Sequence, residues 1–169
     1  MTHTKNKVEW CLKKAEKEFK EGKKHRGLRI IQPNKERARD HIKKSEHYLK
    51  ATILLNKENF SDISASTIFY SIYHCFLAIA IKFGYESRNQ ECTFALIHSL
   101  IYDNKINLEK NLVEKVASLD TDKKIEDTTT NIRERYQYET KLSLKEDLYD
   151  ELLELAKNIL NKTKGIIEE

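Results

Sequence analysis

Hydrophobic and polar positions follow the three-to-four spacing of helices along most of this chain, and in one stretch the charged positions vanish. From Ile63 to Ile81 (ISASTIFYSIYHCFLAIAI) no residue carries a formal charge, although 34% of the chain is charged. Asp62 and Lys82 bracket the stretch and Gly84 closes it. A membrane span needs about 20 predominantly apolar residues. Here Ser64, Ser66, Thr67, Tyr70, Ser71, Tyr73 and His74 interrupt the run, so it reads as the middle helix of a bundle, over 62–83, with neighbours on most sides. Ala65, Phe69, Ile72, Phe76, Ile79 and Phe83 share one face. Thr67, Ser71, His74, Ala78 and Ile81 make a face of small or semi-polar residues, where another helix can approach closely. A histidine there is expected to hydrogen-bond a neighbouring helix.

The same pattern places the other elements. Val8, Leu12, Ala15 and Phe19 give a first helix over Lys5 to Glu21. Asn34 is a candidate N-cap for a second helix over 35–56, and Ser61 one for the central helix. A shorter helix follows over 90–102, another over 107–119 and a weakly helical stretch over 123–135, with 136–142 irregular. Asp120 to Asp122 are expected to break the chain between the last two. Ser143 and Glu146 read as a capping box for the final helix, with Gly165 as its stop. The expectation is an all-α, up-and-down bundle of five to six helices in one domain spanning 1–169. Within it, 1–34 form an N-terminal helix and a connector.

Composition agrees. One Pro and four Gly leave few of the breakers that all-β folds need. Cys11, Cys75 and Cys92 are odd in number and lack CxxC spacing, so they read as free thiols in a reducing compartment. The segment MTHTKNKVEW lacks the apolar core of a signal peptide, and the expected location is cytoplasmic, off the membrane. Charge is uneven: residues 1–50 hold 16 Lys/Arg against 7 Asp/Glu, and 51–169 hold 15 against 20. The densest basic run, Lys23 to Arg29, includes Lys24, Arg26 and Arg29. It is either a solvated lysine-rich surface or an attractor for phosphate backbones.

No glycine-rich phosphate loop, HExxH, paired ExxH or His/Cys grouping at metal-ligand spacing occurs, so neither metal nor cofactor is expected. His41 and His47 fall on different faces of the second helix. One further cluster stands out, Arg133-Glu134-Arg135-Tyr136-Gln137-Tyr138. Two arginines and two tyrosines in six residues suit a phosphate clamp with stacking rings. They suit equally a structural network in which an arginine meets a carboxylate and the tyrosines fill the bundle.

The stretch HIKKSEHYLKATILLNKENFSDISASTIFYSIYHCFLAIAIKFGYESRNQECTFALIHSLI resembles the HEPN superfamily, in particular its small archaeal and bacterial members. Ala51, Leu54, Leu55, Ser66, Tyr70, Tyr73 and Gly84 carry the resemblance, followed by Gln90-Glu91-Cys92-Thr93 and by the Arg and Tyr of the 133–138 cluster. The resemblance implies a helical bundle, commonly a homodimer, often paired with a minimal nucleotidyltransferase antitoxin. It also implies, in active members, a metal-independent RNase with Arg, four to six residues, then His. In that chemistry Arg holds the scissile phosphate and His works on the 2′-hydroxyl or leaving group. Here four residues after Arg133 lead to Tyr138, and 120–145 contain no histidine. Phenols titrate near 10 and make poor general bases at neutral pH.

The expected function is therefore binding of RNA, a nucleotide or a nucleotidyltransferase, without standard RNase activity. The residues concerned are Arg133, Arg135, Tyr136 and Tyr138, with Lys24, Arg26 and Arg29 as further basic candidates and Tyr70, Tyr73 and His74 lining a cleft. Alternatives are an RNase toxin with a variant site built on Arg133 and Tyr138 that recruits His98 or His74, and a purely structural adaptor.

Overall fold

The computed structural model describes residues 3–117 and 128–169. It is 74% helical, with seven helices and one two-stranded antiparallel sheet among the described residues. The helices are α1 (His3–Lys20), α2 (Lys35–Lys57), α3 (Ser61–Lys82), α4 (Gln90–Tyr102), α5 (Lys110–Val116), α6 (Thr129–Tyr138) and α7 (Glu146–Glu168). The helical expectation holds, but there are seven described helices rather than five to six, and a small sheet joins them. The basic connector supplies β1 (Leu28–Ile30), which pairs with β2 (Tyr85–Ser87) beyond the central helix; Arg29 lies opposite Glu86. Two features of the chain make the pairing possible. Gly84 sits at φ 81°, and a Cβ there would press to 3.0 Å on the Ile31 carbonyl, which belongs to the strand connector. Gly27 lies so close to α1 that a Cβ would come within 2.3 Å of the Cys11 carbonyl.

The charge-free stretch is the hub. α3 packs on α2, α4, α6, α7 and β2. Phe69, Ile72, Phe76 and Ile79 on its predicted apolar face are wholly buried. α3 is long and apolar enough to cross a bilayer by composition alone, but 61% of that window is buried against the rest of the molecule. Its small-residue face meets α2 through paired polar side chains. Ser45 and Ser71 hydroxyls lie 3.0 Å apart, Thr52 and Thr67 hydroxyls 2.6 Å, and Ser64 donates to the Thr52 carbonyl. These pairings satisfy hydroxyls that burial would otherwise strand. Cys75 is free and buried beside Ser45, and burial pushes its thiol up to about 11.

Several local expectations change. Cys11 and Cys92 are not free thiols but a disulfide joining α1 to α4. The two helices cross with those Cα atoms 5.9 Å apart, within bonding reach. The cysteine argument for a reducing compartment therefore loses its basis. Asn34 caps α2 as expected, accepting from the Arg37 N–H. Ser61 does not cap α3; it is the helix's first residue, and its hydroxyl accepts from the Leu144 N–H. That contact turns Leu144 inward and holds Lys145 extended, so α7 starts at Glu146 without the Ser143 capping box. Nor does Gly165 stop α7. Ile166 and Ile167 are buried beyond it, Lys82 donates to the Ile166 carbonyl, and Arg39 clamps Glu168 through bonds of 2.8 and 2.7 Å. The helix is carried past its glycine by these tertiary contacts. α5 is shorter than expected at its start. The break at 120–122 and the helical start at 123 lie outside the described residues. Within them, α6 extends through Tyr138 and includes part of the stretch expected to be irregular.

Candidate functional site

Thr128 begins the candidate site by accepting from the Asn131 N–H and capping α6. The cap lets a β-branched run of threonines, poor helix formers, enter a helix. Thr129 and Thr130 donate to the carbonyls of Lys115 and Val116 and fasten this turn to α5. α6 then lies on α3 with Ile132 and Arg133 turned inward.

Arg133 is only 9% exposed. Its guanidinium lies 4.6 Å above the Phe69 ring, a cation–π distance. Nη2 donates to Glu134 Oε1 at 3.2 Å, a carboxylate that itself faces solvent. Nε is buried and meets no hydrogen-bond acceptor. A guanidinium has five N–H donors and cannot shed its proton, so Arg133 holds a permanent charge with donor capacity unused. The other members of the cluster are placed differently. Arg135 is half-buried, Tyr136 packs partly against the core, and Tyr138 stands 80% exposed.

From Phe69 a string of ring contacts crosses to α2. Tyr70 meets Phe69 edge-on at 5.4 Å, Tyr48 stacks on Tyr70 at 5.6 Å, His74 on Tyr48 at 5.5 Å and His41 on His74 at 5.1 Å. Tyr73 branches from Phe69 at 5.9 Å and shares a 3.2 Å hydrogen bond with the Thr93 hydroxyl; burial pushes its phenol up. Tyr70, Tyr73 and His74 thus belong to one cluster with Arg133. They are half-buried, and each meets neighbouring rings: Tyr70 meets Phe69 and Tyr48, Tyr73 meets Phe69 and Phe94, and His74 meets Tyr48 and His41. His74 Nδ1 lies 2.9 Å from His41 Nδ1, the inter-helix bond expected of this face. Burial first, then the charges of His41 and Lys44, hold His74 down at about 4. His41 is also lowered, by burial and by Arg37. Sequence reading missed Tyr48 and the His41 partnership. Their signal was spacing: seven residues separate His41 from Tyr48 and four separate Tyr70 from His74, so each pair shares a helix face.

The basic connector is elsewhere. It packs with α1 and pairs with β2, whereas α6 packs on α3 and α5. Lys24 is exposed, the Arg26 N–H donates to Glu18, and the Arg29 guanidinium lies over Phe19 at 5.2 Å. Beside it, buried His25 bonds Glu86 at 3.0 Å, and Arg37 and Arg88 close on the same carboxylate. His98 is buried on α4, its Nε2 without a partner, and burial lowers it. The charges acting on it, Glu114 and Lys110, come from α5. A cavity of about 800 Å³ opens between α5, α6 and α7, lined by Leu112, Ile132, Leu148 and Leu152 with Lys115 and Glu151 among its polar residues. None of the candidate residues lines it.

The sequence matches no protein-family model and no curated protein.

Proposed function

We propose that this chain is a HEPN-type helical protein that binds an anionic ligand, RNA or a nucleotide, through α6, and that it lacks the standard HEPN ribonuclease reaction. The observation that carries the reading is Arg133, whose buried charge keeps Nε unpaired. An internal supporting arginine is expected to spend its donors on carboxylates or carbonyls. This one has a single solvent-facing carboxylate, which a phosphate can displace or join. Tyr138, exposed on the last turn of the same helix, offers a ring for a base to stack on. The reading without ribonuclease activity rests on Tyr138 standing where the active pattern has histidine. His74 is committed to His41, and His98 is buried against α5.

Fluorescence anisotropy with a labelled single-stranded RNA, and with ATP as competitor, tests the proposal. Expected are salt-sensitive binding, its loss in Arg133→Met and its weakening in Arg135→Ala. No binding of either probe, or binding untouched by both substitutions, overturns it. Destabilisation by Arg133→Met without any binding phenotype assigns the arginine to a structural adaptor. Pull-down with a minimal nucleotidyltransferase, repeated with Arg133→Met, addresses the partner, and a homodimer is read in the same samples by light scattering.

A further inference from the structure

An apolar groove of about 300 Å³ lies between α1 and β1, lined by Leu12, Ala15 and Phe19 from the helix and by Leu28 and Ile30 from the strand. Phe19 is 63% and Ile30 73% exposed, so two large apolar side chains on neighbouring elements are open to water at one place. The strand beside them has a free edge. The Arg88 N–H donates to the Gly27 carbonyl and the Ile31 N–H to the Gly84 carbonyl. Antiparallel ladders alternate, so Gly27, Arg29 and Ile31 turn their main-chain groups toward β2, and Ile30 turns its N–H and C=O away. No described residue takes them. An unpaired edge of this kind is a template for another strand.

The rim of the groove is basic. Lys13 is exposed, without a carboxylate partner among the described residues. The Arg29 guanidinium lies over the Phe19 ring. Glu16, the acid among the described lining residues, is held by Lys20 at 2.6 Å. We propose that this groove docks a short extended segment of a partner protein in which one large apolar residue is flanked by acidic ones. The main chain of the segment pairs with Ile30, its apolar side chain enters beside Phe19 and Leu12, and its carboxylates meet Lys13 and Arg29. Main-chain bonds supply affinity and the groove supplies specificity. A second copy of this chain is a poorer occupant, because a two-fold contact sets a patch against itself and brings Lys13 and Arg29 against the same charges. A phosphate chain answers the cations but leaves the strand edge and the apolar groove unused.

The test pans a random peptide phage library on the full chain and measures the recovered sequences as synthetic peptides by fluorescence anisotropy. Expected are sequences in which a large apolar residue has acidic neighbours. Their affinity is expected to fall about tenfold or more in Phe19→Ser, in a Lys13→Glu, Arg29→Glu double variant and in Ile30→Pro. The proline removes the outward N–H and spares the bonds to β2. Phe19 and Ile30 are exposed, and each variant is checked for an unchanged helical spectrum. Phe19→Ser is expected to leave RNA binding as it was, which separates this groove from α6. No enriched sequence, enrichment without acidic residues, or peptide binding untouched by the variants overturns the proposal. So does a dimer, seen by light scattering, that Phe19→Ser dissolves, since it assigns the groove to a second copy.

Discussion

The seam between α2 and α3 and the short helix α6 bury polar groups in opposite ways. Along the seam each hydroxyl finds a partner on the facing helix: Ser45 with Ser71 and Cys75, Thr52 with Thr67, Ser64 with a carbonyl. The same surface ends in a histidine pair. On α6 a guanidinium is buried over Phe69 with Nε unanswered. The seam spends its polar groups on specifying how two helices meet. α6 holds one in reserve, at some cost to stability. Phe69 joins the two regions, touching Arg133 on one side and the Tyr70 ring on the other.

That junction is where the comparison breaks most visibly. Phe69→Ala empties a fully buried site and is expected to cost about 3–5 kcal/mol, read by chemical denaturation, with loss of RNA binding because Arg133 loses its platform. Removing the Cys11–Cys92 bridge as a double serine variant should cost about 2–4 kcal/mol. It should leave binding intact, since Arg133 rests on Phe69 and Glu134 and neither cysteine touches it. On the seam, Ser45→Ala or Ser71→Ala alone strands its buried partner and should cost about 1–3 kcal/mol; the double variant should cost less than the sum. Additive losses there would mean that the two hydroxyls do not cooperate. Arg133→Met, by contrast, should change stability by no more than about 1 kcal/mol, because an incompletely paired buried charge gives little net stabilisation. A loss comparable to Phe69→Ala would erase the distinction between the regions.

A smaller effect concerns pH. Burial holds His41, His74 and His98 below the ordinary histidine value of 6.5, and His74 near 4. The unfolded chain therefore binds protons that the folded one refuses. Stability should be full above about pH 6.5 and fall as pH drops toward 4. Denaturation midpoints across that window measure it, and His74→Gln should flatten the slope. An unchanged slope in that variant would move the effect to other groups.

The hub helix was legible because burial on most faces leaves a mark in composition: no charge from Ile63 to Ile81, with small residues where α2 approaches. Spacing was enough for the bulk of α1, α2, α4 and α7. What stayed hidden depends on contacts between distant residues. β1 and β2 are three residues each and separated by two helices, too short to show a period-two pattern. The disulfide depends on α1 crossing α4, which cysteine counting does not reveal. α7 runs through Gly165 because Glu168 is gripped by Arg39, 129 residues earlier in the chain on α2. At the candidate site, sequence picked out the Arg/Tyr cluster and Tyr70, Tyr73 and His74 separately. It offered no means of seeing that Phe69, chosen for the core, connects them, or that Arg133 and Tyr138 differ so sharply in exposure.

The central claim is that the Arg133 guanidinium, incompletely paired and beside a solvent-facing carboxylate, meets an outside anion. The most direct measurement is the Arg133 Nε–Hε signal in a ¹H–¹⁵N spectrum, assigned by its absence in Arg133→Met, followed as a short single-stranded RNA is added. The account predicts a signal that shifts as a phosphate joins or displaces Glu134 at the same guanidinium. A signal unmoved at saturating RNA, or one with no RNA to respond to because none binds, would contradict it.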